Sequence, residues 1–199
     1  MPRSPSSKTS SKSASYRGHA RTEPQDALDI LADDHKRVLG LFDEFAQMKE
    51  DNDPDDEARQ LLVESTCAEL TIHAQVEEEL FYPALREATD ALDLLDEAEV
   101  EHASARQLIT ELAAMQPEDD LYDAKFTVLG EYVRHHIQEE EKQIFPKAKK
   151  AELDLEGLGD DIRQRKLELR DELGIAPQEP VEDEDEEPAA GKKAGRRMH

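Results

Sequence analysis

Four amphipathic stretches follow one another in the middle of this chain, and each carries a histidine on its apolar face. Within each stretch apolar residues recur every three or four positions, which is the spacing of one face of an α-helix. The stretches run over residues 26–50, 55–86, 91–116 and 118–148. Long helices bury such faces best against one another. The pattern therefore predicts an all-α protein, an antiparallel up-down-up-down four-helix bundle.

Proline and acidic residues suggest where these helices begin. Pro54 and Pro117 are expected at or near the first turn of the second and fourth helices, where a missing N–H costs no hydrogen bond. Asp90 is expected to cap the third helix. Pro83 and Pro146 fall late in their stretches and are expected to kink or end the helix there.

The composition changes outside residues 25–150, the predicted bundle. Residues 1–24 are rich in Ser, Lys and Arg, and residues 176–199 hold an acidic run before a basic end. Both lack apolar periodicity and are predicted to be disordered tails, either simply solvated or contacting a protein partner. A short extra helix at about 160–173 is predicted within residues 151–175.

The charge and cysteine content exclude several classes of function. The formal net charge is -24, and an acidic chain repels nucleic-acid phosphates and anionic lipids. No stretch approaches the ~18 apolar residues of a membrane span. Cys67, the single cysteine, cannot form an intramolecular disulfide and is interpreted as a packing residue. We therefore expect a cytoplasmic protein that binds neither nucleic acid nor membrane.

The polar residues on the apolar faces are the candidates for function. They are His35, His73, Glu77, His102, His136 and Glu140. In an antiparallel hairpin, residues equally distant from the turn lie opposite each other. The pairs centred on the three predicted turns are His35 with His73, His73 and Glu77 with His102, and His102 with His136. All six side chains are therefore expected in one layer of the bundle.

The residue types in this layer indicate a metal site. His73 and Glu77 are four positions apart, as are His136 and Glu140, so each pair shares one helix face. A neutral imidazole and a carboxylate can chelate one ion or bridge two, whereas a buried carboxylate without a partner is costly. Such ligands suit iron, manganese or zinc, and the residues alone do not rank these metals.

The two glutamate-bearing segments repeat each other. In both, Glu follows His by four positions, an aromatic residue follows by nine and a proline by ten. The aromatic residues are Tyr82 in the first segment and Phe145 in the second. This duplication predicts a site with pseudo-two-fold symmetry for two similar ions.

With its four histidines, two His-x-x-x-Glu pairs and Phe/Tyr-Pro endings, the chain resembles the hemerythrin-like family of HHE cation-binding domains over roughly residues 26–150. The resemblance implies a non-haem di-iron centre that reacts with O2 or related small molecules such as NO or peroxide. It implies that the four histidines are terminal ligands and that Glu77 and Glu140 bridge the ions.

One position departs from the oxygen-carrying hemerythrins. They have a second histidine four residues after the third-helix ligand, where this chain has Arg106, and they carry their last acid one position later, as Asp. The chain thus resembles the variants with four histidines and two glutamates. Arg106 either stabilises a bound anion or peroxide or extends into solvent.

Neighbouring residues offer alternatives to this ligand set. If the fourth helix were rotated by one residue, His135 and Glu139 would replace the preferred pair, although alignment on the proline favours His136 and Glu140. Tyr132 either hydrogen-bonds near the metal or is a bundle residue with a solvated hydroxyl. Glu69 is interpreted as a surface acid.

Three functions follow from these patterns. The leading hypothesis is a non-enzymatic di-iron protein that binds, senses or stores O2, NO or iron, because the sequence indicates no substrate pocket, no cofactor motif and no second domain. The alternative is a di-iron redox enzyme of the peroxide-consuming or oxidase type. The third is a structural metal bundle whose tails recruit a partner.

Overall fold

The computed structural model describes residues 25–50 and 55–175, and this part of the chain contains helices and no strands. The helices are α1 (Ala27–Glu50), α2 (Asp56–Val76), α3 (Tyr82–Ala88), α4 (Leu92–Leu112), α5 (Tyr122–Glu139), α6 (Phe145–Lys150) and α7 (Leu155–Glu172). Single π-helical turns, Glu77–Phe81 and Glu140–Ile144, join α2 to α3 and α5 to α6. The predicted tails at 1–24 and 176–199 lie outside the described residues.

The predicted bundle is confirmed. Helix α1 packs on α2 and α5, and α4 packs on α5 and α2, so the four long helices form a closed ring of antiparallel neighbours. The extra helix α7 lies against α1 and α2. None of the helices in the described ranges is long and apolar enough to cross a membrane.

The core of the bundle consists of two apolar clusters. One contains Leu31, Phe81 and Leu95 and extends to residues of α7, and the other contains Phe42 and Phe126. Along every long helix the change from one cluster to the other falls at the histidine-bearing turn. The predicted polar layer therefore lies between two packed apolar regions, which hold the four helices in a constant register on both sides of it.

The helix starts differ in part from the prediction. Asp55 caps α2 by accepting a hydrogen bond from the Ala58 N–H at 3.0 Å, whereas Pro54 lies outside the described residues. Asp90 does not cap α4, because the N-cap position is Ala91. Pro117 lies in the turn before α5 rather than in its first helical turn, and its carbonyl accepts a hydrogen bond from Arg59.

Pro83 and Pro146 change the helical hydrogen bonding but do not end the continuous helical segments formed by α2 with α3 and by α5 with α6. A proline cannot donate to the carbonyl four residues before it, and in both segments a π-helical turn lies just before the proline. The five-residue turn moves the buried face forward by one position. Phe81 and Leu85 are therefore buried, whereas Leu80 and Ala84, which a regular α-helix would place on the same face as Glu77, are partly exposed.

Helix α7 confirms the predicted fifth helix but begins at Leu155, several residues earlier than expected. Asp154 caps it through the Gly157 N–H, and Gly174 follows its end with a φ of 67°. Gly159 allows a close approach to α1, because a Cβ there would lie 2.9 Å from the backbone nitrogen of Ala27. The sequence pattern predicted this helix without its position on the bundle.

Candidate metal centre

The structure brings all six predicted residues together between the two apolar clusters. Each of them is at least nine-tenths buried, and both glutamates are fully buried. Glu77 and Glu140 stand at the first position of the two π-helical turns, one helical turn after their histidines. The donor atoms fall into two groups: His35, His73, Glu77 and Glu140 form the first, and Glu77, His102 and His136 form the second.

The first group has four donors around one point. The Nε2 of His73 lies 3.1 Å from Glu77 Oε1, and the Nε2 of His35 lies 3.2 Å from Glu140 Oε2. Two ligand atoms that are each about 2.1 Å from one ion lie about 3 Å apart when they subtend a right angle. These separations are therefore those expected for ligands of a common ion.

The second group has three donors and shares Glu77 with the first. Glu77 Oε2 lies 3.4 Å from the Nε2 of His102, so the two oxygens of this carboxylate face different groups. The Nε2 atoms of His102 and His136 lie 3.1 Å apart. Glu140 does not divide its two oxygens between the groups in this way, because the same Oε2 atom that faces His35 also lies 3.7 Å from the Nε2 of His136. Glu77 is thus placed to bridge two ions.

Most of the nitrogen and oxygen atoms that point into the centre have no hydrogen-bond partner. Both oxygens of Glu77, Oε2 of Glu140 and the Nε2 atoms of His35 and His73 are buried without a hydrogen-bond partner. Burying unpaired polar atoms costs a few kcal/mol each, and folded proteins rarely tolerate several such atoms together. Metal ions between them would satisfy all five, so the donor set fits the cation chemistry predicted from the sequence.

The outer nitrogen of every imidazole faces a carboxylate. The Nδ1–O distances are 3.0 Å for His35 with Glu141, 3.3 Å for His73 with Asp34, 2.9 Å for His102 with Glu78 and 2.8 Å for His136 with Glu101. A carboxylate only accepts, so Nδ1 carries the proton and Nε2 is left with its lone pair toward the centre. Carboxylate–histidine pairs of this kind orient metal ligands and raise their basicity.

These four acids were missed in the sequence. Each directly precedes or follows one of the predicted ligands in the chain. A neighbour at i±1 points away from its own helix face, so the helical spacing excluded it. Each acid reaches the histidine of an adjacent helix instead. The sequence does contain a signal for them. In both halves an acid precedes the first histidine and another acid follows the ligand glutamate.

Without metal, protons would take the place of the cations. Burial opposes a charge on His73, but Glu77 and Asp34 outweigh it and raise the pKa of the imidazole well above its usual value. Burial also opposes protonation of His102, while the neighbouring carboxylates of Glu77 and Glu78 raise its pKa to about 9. The site thus requires positive charge in either form, and metal binding should release protons.

The repeated aromatic residues break the symmetry of the site. Phe145 stacks on His35 with ring centroids 5.6 Å apart, and Tyr82 stacks in the same way on His102 at 5.8 Å. Only Tyr82 has a hydroxyl, which donates a hydrogen bond of 3.0 Å to Glu140 Oε1. Burial and the nearby glutamates raise the pKa of Tyr82 well above its usual value, so this hydroxyl remains a donor. It leaves Glu140 with one oxygen free for an ion.

The competing residues lie at the surface. His135 is 63% exposed and faces Glu139 and Glu101 at 3.6 and 3.8 Å, so His136 and not His135 points into the bundle. Arg106 donates a hydrogen bond of 2.6 Å to Glu78, and its side chain is half exposed. Tyr132 is also half exposed. Glu69, interpreted as a surface acid, is instead buried and paired with Arg170.

A pocket leads from the surface to the second group. It has a volume of about 290 Å³, and His102, His136 and Arg106 are among the residues that line it. Most of its wall is apolar, including Leu70 and Ile109. The three-donor group can therefore be reached from outside the bundle.

The contribution of the outer carboxylates can be measured at Glu101. We expect Glu101→Gln to weaken metal binding about 10- to 100-fold. A neutral amide accepts the His136 Nδ1–H less strongly than a carboxylate does, so it holds the imidazole less firmly in the orientation that binds metal. Competition with a coloured zinc chelator would report this change. Glu131→Gln, on the exposed face of α5, is the matched control. Unchanged affinity for the Glu101 variant would mean that packing alone orients the ring.

Comparison with known proteins agrees with this geometry. A family model described as the hemerythrin HHE cation binding domain matches residues 26–148. The chain belongs to this family. The match covers the four long helices and all six residues of the centre, so the resemblance inferred from the sequence is confirmed. Binding of metal ions is the property that the family description and the His/Glu clusters share.

The chain is also similar to individual proteins, at low sequence identity. Uncharacterised proteins of Mycobacterium bovis and Mycobacterium tuberculosis are 27% identical over 150 residues, covering 72% of this chain and 87% of theirs. A DNA nickase of Nostoc sp. is 29% identical over 120 residues, 59% of this chain, but the match spans only 32% of that protein.

A solved structure supports the fold. The crystal structure of a hemerythrin HHE cation binding domain-containing protein from Mycobacterium kansasii has a TM-score of 0.63 and 24% identity. The alignment covers 74% of this chain and 89% of that one. At this identity the likeness supports the helical bundle, and the chemistry must be argued from this chain's own residues.

Proposed function

We propose that the chain holds two iron ions in its centre and uses them to bind, sense or store O2, NO or iron. The residues that would hold them are His35, His73, Glu77 and Glu140 for one ion and Glu77, His102 and His136 for the other. The observation that carries this proposal is the division of donors into two groups that share one fully buried carboxylate.

The ligand chemistry supports a pair of ions. The two oxygens of Glu77 face different donor groups, Oε1 toward His73 and Oε2 toward His102, so one ion in each group would use both oxygens. Two buried carboxylates balance part of the charge of two divalent ions, and neutral imidazoles add none. Mixed imidazole and carboxylate ligands suit iron, and also manganese or zinc, so the metal must be established by experiment.

Bound iron would supply electron exchange with a small ligand. The residues around it would fix the positions of the donors. The outer carboxylates hold each imidazole in one tautomer, and the Tyr82 hydroxyl holds Glu140 in one orientation. The second group offers three donors against four in the first, so more positions on its ion are left for a ligand. The pocket is lined by both imidazoles of this group and by one imidazole of the first group, His73.

A redox enzyme is the second candidate, and the pocket favours it. A protein that only binds a diatomic molecule has no need for a cavity of about 290 Å³ beside the metal. The half-exposed Arg106 lines this cavity, but Glu78 accepts a hydrogen bond from its guanidinium and balances its charge, which weakens its attraction for an anion. We therefore propose binding or sensing as the leading function and peroxide or oxidase chemistry as the alternative.

Iron loading under anaerobic conditions tests both. We expect elemental analysis to find about two ions per chain, as in other bundles with paired carboxylate sites. If the protein only binds its ligand, exposure of the ferrous form to O2 or NO should change the charge-transfer absorbance in a single step, which is complete when every site is occupied. An enzyme would instead consume peroxide or O2 repeatedly when a reductant is supplied. Zinc-loaded protein is the control without redox chemistry.

Two outcomes would contradict the proposal. Binding of about one ion per chain or fewer after reconstitution would mean that the centre is not a two-metal site. Full loading without any spectral response to O2, NO or peroxide, together with metal-dependent folding, would favour a structural metal bundle instead.

A further inference from the structure

The pocket beside the second group is larger than the small gases require. Its volume is about 290 Å³. One water molecule occupies about 30 Å³ in the liquid, and a protein cavity of about 150 Å³ is enough to bind benzene. The pocket therefore has room for an organic molecule the size of a substituted benzene ring.

The wall of the pocket selects for an apolar body. Helices α1, α2, α4 and α5 contribute Val38, Leu70, Ala105, Ile109 and Val133 to it. Burial of an apolar ligand surface against such side chains contributes about 25 cal/mol per Å². Ala105 is small for a core position, and a larger side chain there would occupy the space.

The charged residues of the wall are already paired. Arg106 donates to Glu78, and Glu101 accepts from His136. A ligand carboxylate would meet a guanidinium whose charge Glu78 already balances, and it would lose its hydration in the apolar part of the pocket. The surface end, near Val100 and Tyr132, also includes His135, whose imidazole lies 3.6 Å from Glu139 and 3.8 Å from Glu101, so carboxylates already face this basic group. The pocket therefore favours a neutral ligand.

The inner end of the pocket is polar on one side. His73, His102 and His136 line it; His73 belongs to the group with four donors, whereas His102 and His136 belong to the group with three. A ligand with its apolar body in the pocket would direct its far end to this group. An oxygen atom at that end could take a position that the protein leaves open on the ion.

We propose that this pocket binds a neutral organic molecule with a ring-sized apolar body and one oxygen head group, a hydroxyl or hydroperoxyl, directed at the His102 and His136 group. This inference rests on the proposed function, since the head group needs the ion held there. It identifies the substrate class as organic rather than a gas alone.

The test uses zinc-loaded full-length protein and 2-phenyl-2-propanol, a neutral aromatic alcohol that zinc does not oxidise. Isothermal titration or ligand-observed NMR should detect binding, and Ala105→Leu should weaken it at least about tenfold because the added carbons fill the pocket. Ala124→Leu, on the exposed face of α5, should leave it unchanged. Benzoate, with a similar ring and a negative charge, should bind at least about tenfold more weakly.

A second variant guards against poor folding of the first. Ile109→Ala enlarges the pocket and should shift the preference toward bulkier alcohols such as a naphthyl analogue. Circular dichroism would confirm that both variants are helical. Equal binding of the alcohol by the original chain and Ala105→Leu, or binding of benzoate as tight as that of the alcohol, would overturn the proposal.

The zinc content separates this inference from the function it rests on. About two zinc ions per chain without alcohol binding would reject the organic ligand and leave the two-metal centre intact. Fewer ions would count against the centre, and alcohol binding of equal strength with and without metal would reject the role given to the oxygen head group.

Discussion

Glu77→Gln is expected to reduce the bound metal from about two ions per chain to fewer than one. Glu77 is the residue that belongs to both donor groups, and it is fully buried. Glutamine has nearly the same shape, but it is neutral, and its NH2 group would face a cation on one side. Both ions lose a ligand and a negative charge from the single substitution. Elemental analysis after reconstitution and dialysis would measure the loss.

Glu79→Gln is the matched control for this variant. Glu79 lies two positions further along the same π-helical turn, is exposed and pairs with Arg165 on α7. It should retain the metal content of the original chain. If Glu77→Gln also retained about two ions at unchanged affinity, the shared carboxylate would not be needed, and the proposed two-metal arrangement would have to be abandoned.

Glu69→Ala is expected to destabilise the fold by about 3 kcal/mol or more, with no direct effect on the ligands. Two oxygens of Glu69 accept hydrogen bonds of 2.7 and 2.6 Å from the Arg170 guanidinium, and both side chains are about nine-tenths buried. Removing the acid leaves a buried positive charge with its main partner gone. Chemical denaturation followed by circular dichroism would measure the change in the free energy of unfolding.

The double variant Glu69→Ala/Arg170→Ala shows whether the unpaired charge is the cause. It should recover part of the stability lost by Glu69→Ala, because no charge then remains in the apolar contact between α2 and α7. Asp43→Ala removes the partner of the exposed Arg134 and should have little effect. A loss below about 1 kcal/mol for Glu69→Ala would show that Arg170 reaches water in solution.

The six central residues could be predicted because two independent features of the sequence agree, the helical spacing and the positions of the turns. The helical spacing puts each of them on an apolar face, and the positions of the turns put the faces at the same height. Both features depend only on the geometry of single helices and short hairpins. They hold here because the predicted turns near residues 89 and 117 lie in the non-helical segments that the structure describes.

The outer carboxylates could not be predicted by the same argument. Asp34, Glu78, Glu101 and Glu141 lie beside the ligands in the chain but off the buried face. What makes them part of the centre is contact with the adjacent helix, which depends on how the helices are rotated about their axes. The register change at Glu77 and Glu140 was missed for a different reason, because the regular spacing assumes an uninterrupted α-helix and each π-helical turn shifts that spacing by one residue.

Glu69 illustrates the limit of judging a residue by its type. Nothing in its local sequence distinguishes it from the many exposed acids of this chain. It is buried because α7 packs over α2 and carries Arg170 to it, although these two residues are 101 positions apart. Lys166 on the same helix likewise reaches Asp34, the carboxylate that orients His73.

The sequence by itself determined the helical class, the layer of histidines and glutamates and the family to which the chain belongs, because spacing along a helix controls which side chains share a face. Only the tertiary structure decided which acids hold the imidazoles, where α7 lies and which donor group opens to a pocket. Those features depend on contacts between helices far apart in the chain, and such contacts arise from packing and charge pairing that helical spacing does not describe.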